Sequence, residues 1–323
     1  MSGVSLSVVM PTFNRATVLR QTLLALALQD YPRDFFEVVV AVDGSTDDTI
    51  AMLQSISVPY RLSFSWAARA GTAPARNRAL AAAAGEVVVS LDDDIIAHPS
   101  LLAAHAALHT RRNRAVGIGR LELWNGATLG KFARYWHRRF DEHYRKLAGP
   151  DYRPEFVDCL SGNLSVRRED MLGTGAFDPR FREYNHEDTE LGYRLFQRGL
   201  TFEYLPDALG YHNFEKSFVQ GCWDAYGDGR SSLILARKHP ATASRLRLAA
   251  RRKAPLPATL IRRALTSRQM SLKTLISLAD RVRTAAEVAL PSGLMRVYYA
   301  IVLDACYWRG ARDQGREEGQ DSC

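Results

Sequence analysis

The chain has 323 residues, of which 46% are hydrophobic, and this is enough to bury a sizeable core in one large domain or two. Its formal net charge is +8, and its four cysteines lie far apart without a CxxC pair, which argues against a thiolate metal site and predicts reduced thiols. The longest apolar run, Val297–Trp308, is too short to cross a bilayer and contains Asp304, which argues against a membrane-spanning segment.

The first hundred residues alternate between strand and helix patterns. The chain enters the first strand pattern directly after Gly3, without a leader, so we expect a cytoplasmic protein, with peripheral attachment to the inner membrane face as a further expectation. Buried strands are predicted at Val4–Met10, Phe36–Val42, Tyr60–Trp66 and Glu86–Leu91, and helices at Ala16–Gln29, Asp47–Ser55 and Ala73–Ala84. This βαβα order predicts an α/β fold with a doubly wound, mostly parallel sheet.

Similar elements continue to about residue 215. Helices are predicted at Leu101–Thr110, Lys131–Leu147 and Asp188–Arg198, and strands at Ala115–Leu123, Gly162–Val166 and Thr201–Leu205. Pro206 is expected to end the last of these strands, because proline cannot donate to a strand ladder. The helix at 131–147 is basic and aromatic, so it forms either a ligand-binding wall, whose aromatic faces can stack on sugars and whose arginines can pair with phosphates, or an amphipathic helix that packs aromatic residues such as Trp136 in a core.

The basic charge is concentrated in the last third of the chain. Residues 216–323 hold 19 Lys and Arg against 9 Asp and Glu, whereas residues 1–215 hold 24 against 26. We therefore predict one domain over residues 1–215 and a basic helical C-terminal extension over 216–323. The acid-free segment Gly229–Ala279 suits an anionic membrane surface or an acidic polymer, and equally a solvated or core-docked appendage. Nucleic acid is not expected, because no recognised binding motif accompanies the charge.

The segment Val87–Ile96 contains the most informative pattern, in which a buried strand stops at three consecutive carboxylates, Asp92, Asp93 and Asp94. Ligands bind open α/β sheets at the carboxyl ends of the strands, and adjacent carboxylates repel one another unless a cation is near. Hard oxygen ligands favour Mg²⁺ or Mn²⁺ over zinc. The alternative is a solvated acidic turn.

Two further polar turns follow predicted strands and end at the same edge of the sheet. They are Pro11–Arg15 after the first strand and Asp43–Asp48 after the second. Gly44 allows close approach of the backbone, and Asp43 can accept a hydrogen bond from a base or a ribose. Each turn alone is a weak signal, but three such turns on one sheet predict a nucleotide site.

The order of these motifs resembles that of the inverting family 2 glycosyltransferases, which have the GT-A fold and use nucleotide-sugar donors. The motifs are Pro-Thr-Phe-Asn-Arg at 11–15, Asp-Gly-Ser-Thr-Asp at 43–47, Ala-Arg-Asn at 75–77, Leu-Asp-Asp-Asp at 91–94, Gly-Asn-Leu-Ser at 162–165 and Glu-Asp at 187–188. The resemblance covers roughly residues 4–215. One departure is Val42, which stands where the family commonly has a first acid before Gly-Ser, so the resemblance specifies the base less well than the fold.

The resemblance implies a role for each matching residue. A nucleotide-sugar-binding set is implied at Pro11, Thr12, Phe13, Arg15, Asp43, Arg76, Asp92 and Asp93. Asp94 is implied as the ligand of Mn²⁺ or Mg²⁺, with His212 beside the same metal, and Asp188 as the general base. The acceptor side is expected at Gly162, Asn163 and Glu187, with Trp136 added from the aromatic helix.

Together these features predict a metal-dependent inverting glycosyltransferase that moves a sugar from a nucleoside diphosphate, with UDP favoured, to an acceptor nucleophile. A divalent cation would neutralise the leaving diphosphate, and one carboxylate would deprotonate the acceptor. One alternative is a nucleotidyltransferase, although Pro11–Arg15 has no glycine for a phosphate loop. The other is a non-catalytic sugar- or polymer-binding protein, which the intact Asp92, Asp94 and Asp188 disfavour. The sugar, the acceptor and the oligomeric state are not specified by the sequence.

Overall fold

A computed structural model describes residues 3–124, 129–182, 186–213, 216–249, 270–317 and 319. The chain forms two compact units. The first, called the sheet unit, comprises Met1–Gly126, Phe140–Arg182 and Glu187–Phe214. The second, called the helical unit, comprises Ala127–Arg139, Glu183–His186 and Glu215–Cys323.

The sheet unit contains one eight-stranded sheet in the described residues, in the order β3-β2-β1-β4-β7-β6-β8-β5. The strands are β1 (Leu6–Thr12), β2 (Phe36–Asp43), β3 (Arg61–Ala67), β4 (Val87–Leu91), β5 (Ile95–Ala97), β6 (Ala115–Leu123), β7 (Asn163–Arg167) and β8 (Thr201–His212). The strands β3, β2, β1 and β4 are parallel, as predicted, and β6 is parallel to β8. β7 is antiparallel to both β4 and β6, and β5 is antiparallel to β8. The four strands of the βαβα segment therefore form the parallel region of the sheet, and the later strands extend it into a mixed sheet.

Helices cover both faces of this sheet. They are α1 (Ala16–Leu26), α2 (Thr49–Ser55), α3 (Thr72–Ala82), α4 (Leu101–Arg111), α5 (Lys131–Leu147), α6 (Arg168–Gly173) and α7 (Glu187–Gln197). Val8 packs into a cluster with Leu23 of α1, whereas its neighbour Val9 packs into a second cluster with Ala79 of α3. Successive strand residues point to opposite faces, so strands covered on both sides need apolar residues at every position. This explains the unbroken valine runs of β2 and β4.

The prediction that Pro206 ends a strand is wrong. β8 runs through to His212, and its pairing with β6 jumps from Gly119 with Leu205 to Arg120 with Leu209. Residues 206–208 form a bulge, where a proline without an N–H costs no ladder hydrogen bond. Beyond the bulge, β8 pairs with β5, a short strand that follows the acidic cluster directly.

Among its described residues beyond 215, the helical unit contains the long helices α8 (Phe218–Lys238), α9 (Leu272–Ala289) and α10 (Ser292–Glu317). α8 and α10 touch backbone to backbone at two glycines. A Cβ atom on Gly229 would lie 1.9 Å from the carbonyl oxygen of Tyr307, and one on Gly310 would lie 1.9 Å from that of Tyr226. Glycine at both positions therefore permits the close crossing of these helices.

No helix among the described residues is long and apolar enough to cross a membrane. The basic runs Arg251–Lys253 and Arg262–Arg263, and the apolar run Ala258–Ile261, lie outside the described residues. The other apolar run of the predicted basic extension, Leu275–Leu278, lies in α9, where Leu275 and Ile276 are buried.

Candidate functional site

The turn after β1 and the turn after β2 are tied together by Asn14. The amide of Asn14 donates to Ser45 Oγ at 2.9 Å, and its side-chain Oδ1 accepts from the amide of Thr46 at 2.8 Å. Asn14 has a φ of 51°, a left-handed conformation that asparagine tolerates better than most residues. Asn14 was not among the predicted site residues, although an asparagine between a strand and a helix is a recognisable sign of a hydrogen-bonded turn.

Asp43, at the end of β2, fixes the loop that leads to α3. Its two carboxylate oxygens accept hydrogen bonds from the amides of Ala70 and Gly71, each at 2.9 Å. Gly44 has a φ of +77°, and a Cβ there would lie 2.7 Å from the amide nitrogen of Arg69. The guanidinium of Arg69 in turn lies 3.9 Å from the centroid of the Phe13 ring. Asp43 and Phe13 therefore both contact the loop at 69–71, Asp43 through its carboxylate and Phe13 through its ring.

Arg15 binds the acidic cluster directly. Its Nη1 atom lies 2.8 Å from Asp93 Oδ1 and 2.7 Å from Asp94 Oδ2. Burial, with the nearby charge of Asp94, raises the pKa of Asp93 to about 7 despite this guanidinium. Burial also acts to raise the pKa of Asp94, but His212 and Arg15 outweigh it and lower that pKa to about 2. The negative charge of the pair is therefore concentrated on Asp94.

Asp94 and His212 fit the metal site that the sequence predicts. His212 Nε2 lies 3.4 Å from Asp94 Oδ2, and Asp94 Oδ1 is buried without a hydrogen-bond partner, which leaves an oxygen for a cation. Among the described residues, no group of three or more His, Cys, Asp or Glu side chains is arranged to hold a metal by itself. A divalent ion here would complete its shell with phosphate oxygens and water, as Mg²⁺ commonly does.

Arg76 connects the acidic cluster to the start of α7. This side chain is almost completely buried, and it donates from Nη2 to Asp92 Oδ1 at 2.7 Å and from Nη1 to Glu187 Oε1 at 2.8 Å. Gly162 lies against the same carboxylate, because a Cβ there would come within 2.7 Å of Asp92 Oδ2. The predicted residues Arg76, Asp92, Gly162 and Glu187 are therefore brought together.

Glu187 and Asp188 open α7 with different surroundings. Asp188 Oδ2 accepts from the amide of Ser161 at 3.2 Å, and its Oδ1 accepts from the amide of Thr189 at 2.7 Å. Glu187 Oε2 is buried without a hydrogen-bond partner. Burial and the charge of Asp188 raise the pKa of Glu187 to about 7, although Arg76 opposes the shift. The two carboxylates are adjacent in sequence but have different partners. Backbone amides bind both oxygens of Asp188, whereas Arg76 binds one oxygen of Glu187.

Pro11, Trp136 and Asn163 lie apart from these contacts. Pro11 and Thr12 are the last two residues of β1, but the buried Thr12 lies close enough to Asp93 for its side chain to lower the pKa of that carboxyl. Trp136 is buried in the helical unit, where its ring packs against Phe132 and the ammonium of Lys216 lies 5.8 Å from its centroid. This is the packing alternative that the sequence analysis left open.

Asn163 belongs to a buried network under α4. Its Nδ2 donates to the carbonyls of Arg120 and Ala208, and its Oδ1 accepts from His105 Nε2 at 2.9 Å. Ser165 Oγ lies 2.8 Å from His105 Nδ1 and 2.9 Å from His109 Nε2. These contacts give the Asn163 amide a structural role in holding β6, β7 and β8, because every polar atom of its side chain is used inside the protein.

The two buried histidines predict an acid-sensitive fold. Burial lowers the pKa of His105 to about 4 and that of His109 to about 3, against 6.5 for exposed imidazole. Below pH 6.5 the two histidines become protonated in the unfolded chain but stay neutral in the folded chain. The free energy of unfolding should therefore fall by about 1.4 kcal/mol per pH unit for each histidine as the pH drops from 6.5 towards 4.

Denaturant titrations at pH 7, 6 and 5 measure this slope. The His105→Gln variant should show a shallower slope than the wild type, because it has one titrating imidazole fewer. Equal slopes in the two proteins would contradict the assignment.

The chain matches a known family and known folds. The model of glycosyl transferase family 2 matches residues 7–173, just over half of the chain. The chain is 33% identical over 239 residues to validoxylamine A glucosyltransferase of Streptomyces hygroscopicus subsp. jinggangensis, which covers 64% of this chain and 54% of the relative. The chain covers less than two thirds of the length of the curated relatives that it matches.

Two solved structures show the same fold. Mannosyltransferase PcManGT from Pyrobaculum calidifontis, in complex with GDP-Man and Mn²⁺, matches with a TM-score of 0.64 at 19% identity, over 97% of this chain and 89% of that chain. TarS 1–349 of Staphylococcus aureus, in complex with UDP-GlcNAc, matches with a TM-score of 0.55 at 19% identity, over 98% of this chain and 92% of that chain. These likenesses confirm the GT-A fold, and the family match shows that this chain belongs to glycosyl transferase family 2.

Proposed function

We propose that this protein is a metal-dependent inverting glycosyltransferase that uses a nucleoside diphosphate sugar. The observation that carries the proposal is the ion pairing of the buried Arg76. It binds both Asp92 of the acidic cluster and Glu187, which follows Arg76 by 111 positions in the chain. This ion-pair bridge brings a carboxylate suited to the donor next to the Glu-Asp pair suited to the acceptor. A site that only binds sugar has no need to join an anion-binding cluster to a candidate base.

On the donor side, Asp94 and His212 would hold the divalent ion. The ion, when bound, supplies positive charge that stabilises the departing diphosphate. Asp43 and Phe13 would receive the base and ribose beside the loop that both contact. We favour UDP as the nucleotide, and the bound UDP-GlcNAc in the TarS structure supports this choice. The GDP-Man complex of PcManGT is the reason for testing guanosine donors as well.

On the acceptor side, Asp188 would accept the proton of the attacking hydroxyl. The acceptor oxygen then bonds to the anomeric carbon as the bond from that carbon to the diphosphate breaks, and a single displacement inverts the configuration. One base is sufficient, because no covalent sugar–enzyme intermediate forms. The amides of Ser161 and Thr189 fix the orientation of the Asp188 carboxylate.

Donor binding by the Asp94→Asn variant tests the metal site. Asparagine keeps the size of the side chain but removes the charge that attracts the cation. We expect Mn²⁺-dependent binding of UDP to weaken by about tenfold or more, the scale seen when a metal site loses a ligand or its support. Isothermal titration with UDP, UDP-GlcNAc and GDP-mannose, with and without Mn²⁺, measures the effect and identifies the preferred base.

The Asp34→Asn variant is the matched control, because Asp34 precedes β2 at the opposite end of the strand from Asp43. It should bind donors like the wild type. Binding of every donor with equal affinity in the presence and absence of metal would contradict the metal site. Absence of donor binding under all conditions would contradict the proposed activity.

A further inference from the structure

The helical unit exposes a cluster of large apolar side chains around the turn between α9 and α10. Of the sixteen large hydrophobic residues that are exposed among the described residues, six lie between positions 278 and 297. They are Leu278, Val282, Val288, Leu290, Leu294 and Val297. Val288 is 90% exposed and Leu294 is 55% exposed. Exposed apolar side chains that cluster along the chain in this way are typical of an interaction surface, whereas single exposed residues are not.

These residues lie on the outer faces of two amphipathic helices. α9 buries Leu275, Ile276 and Ala279, so Leu278 and Val282, which are exposed, are not the residues that attach the helix to its unit. α10 likewise buries Met295 and Tyr299 and exposes Leu294 and Val297. On α9 the exposed residues extend the flank of the buried stripe, and on α10 they lie on a different side from Met295 and Tyr299, so each helix leaves apolar surface outside the packing of its unit.

The unpaired charges around this surface are of one sign. Both carboxylates of α9 are paired within the helix, where Arg283 binds Asp280 at 2.7 Å and Glu287 at 3.0 Å. The exposed cations Lys273, Arg281 and Arg296 form no ion pair with a carboxylate of the described residues. The surface therefore presents leucines, valines and unpaired cations, while its two acids are held by Arg283.

We propose that this surface, called the α9–α10 surface and defined by residues 278–297, binds the face of an anionic membrane. The apolar side chains would enter the acyl boundary, and Arg281 and Arg296 would lie at the level of the phosphate headgroups. Neither helix needs to cross the bilayer. The surface is distinct from the acid-free stretch that the sequence analysis emphasised, because five of its six exposed apolar residues lie beyond Ala279.

The charge pattern favours a lipid surface over the other occupants. In a two-fold dimer the same patch meets itself, so the unpaired Arg281 and Arg296 would meet their own copies, and the acids of the patch are already paired with Arg283. An acidic polymer would satisfy the cations but leave the leucines and valines in water. An anionic bilayer satisfies both groups at once.

Co-sedimentation of the full chain with vesicles tests the proposal. We expect binding to vesicles prepared from phosphatidylcholine with about 30% phosphatidylglycerol. The binding should weaken in about 0.5 M salt and be negligible with pure phosphatidylcholine vesicles. Arg281→Gln with Arg296→Gln should lower the partition coefficient by about 30-fold, since each cation near the surface contributes about fivefold. Leu294→Asp should lower it further.

Two control variants locate the contact. Arg61→Gln removes an exposed arginine of the sheet unit, and Arg251→Gln with Arg252→Gln removes two cations outside the surface. Both should bind vesicles more tightly than the Arg281/Arg296 double variant. The proposal is overturned if pelleting is equal and negligible with both kinds of vesicle, or if the α9–α10 variants bind like the wild type. A concentration-dependent dimer that Leu294→Asp dissociates, without vesicle binding, would assign the surface to self-association.

Discussion

Replacement of Asp188 by asparagine should lower turnover by about 10²- to 10⁴-fold while donor affinity stays nearly unchanged. The amide is the same size as the carboxylate, and its single oxygen can keep the hydrogen bond from the Thr189 amide, but its nitrogen can accept neither the hydrogen bond from the Ser161 amide nor the proton of the acceptor. Loss of an interaction that matters only in the transition state lowers kcat without raising KM. Steady-state kinetics with the identified donor, together with a donor titration, measure both quantities.

Glu187→Gln is the decisive companion to this variant. Glu187 has a pKa raised to about 7 and a buried oxygen without a partner, which are also properties of a general base. Its Oε1 atom, however, is held by Arg76, and we expect its loss to reduce turnover far less than the loss of Asp188. A larger decrease for Glu187→Gln than for Asp188→Asn would transfer the role of base to Glu187.

Replacement of Arg76 by glutamine should destabilise the protein by about 3 kcal/mol, the lower end of the range for breaking a buried ion pair. The lower end applies because Asp92 is 38% exposed and keeps part of its hydration, whereas Glu187 is buried. The variant should also lose most of its activity, since the acidic cluster and the start of α7 would no longer be joined. Urea unfolding monitored by circular dichroism measures the stability.

A double-mutant cycle separates these two consequences. Addition of Glu187→Gln to Arg76→Gln removes the carboxylate that the first change leaves buried, so it should restore part of the stability but not the activity. Arg78→Gln is the matched control, because Arg78 is more exposed and lies 3.7 Å from Asp43. It should cost less than about 1 kcal/mol. No recovery of stability in the double variant would show that Arg76 and Glu187 are not energetically coupled.

The sequence predicted the elements whose signal is local. β1, β2 and β4 were found because β-branched residues fill strands that are covered on both faces, and the carboxylates that follow β4 were found because such strands end at a ligand edge. β5 was missed because its three residues are too few to show a period. The family resemblance then supplied roles that the local pattern alone could not.

The sequence did not predict which charged side chains folding brings into contact. The pairing of Arg15 with Asp93 and Asp94, and of Arg76 with Glu187, joins residues from 78 to 111 positions apart. Composition and spacing do not specify which arginine meets which acid. Likewise, the aromatic pattern around Trp136 was compatible with a sugar wall and with a packed core, and only burial distinguishes them.

The position of His212 depends on the three-residue bulge in β8. Residues 206–208 are taken out of the pairing, so His212 stands opposite Leu123 on β6 and Ile95 on β5. In an uninterrupted strand that place would belong to Leu209, and a leucine instead of an imidazole would stand beside Asp94. The irregularity thus acts as a three-residue offset that decides which side chain reaches the acidic cluster. The chemistry available at this edge is set by the length of the interruption as much as by the residues themselves.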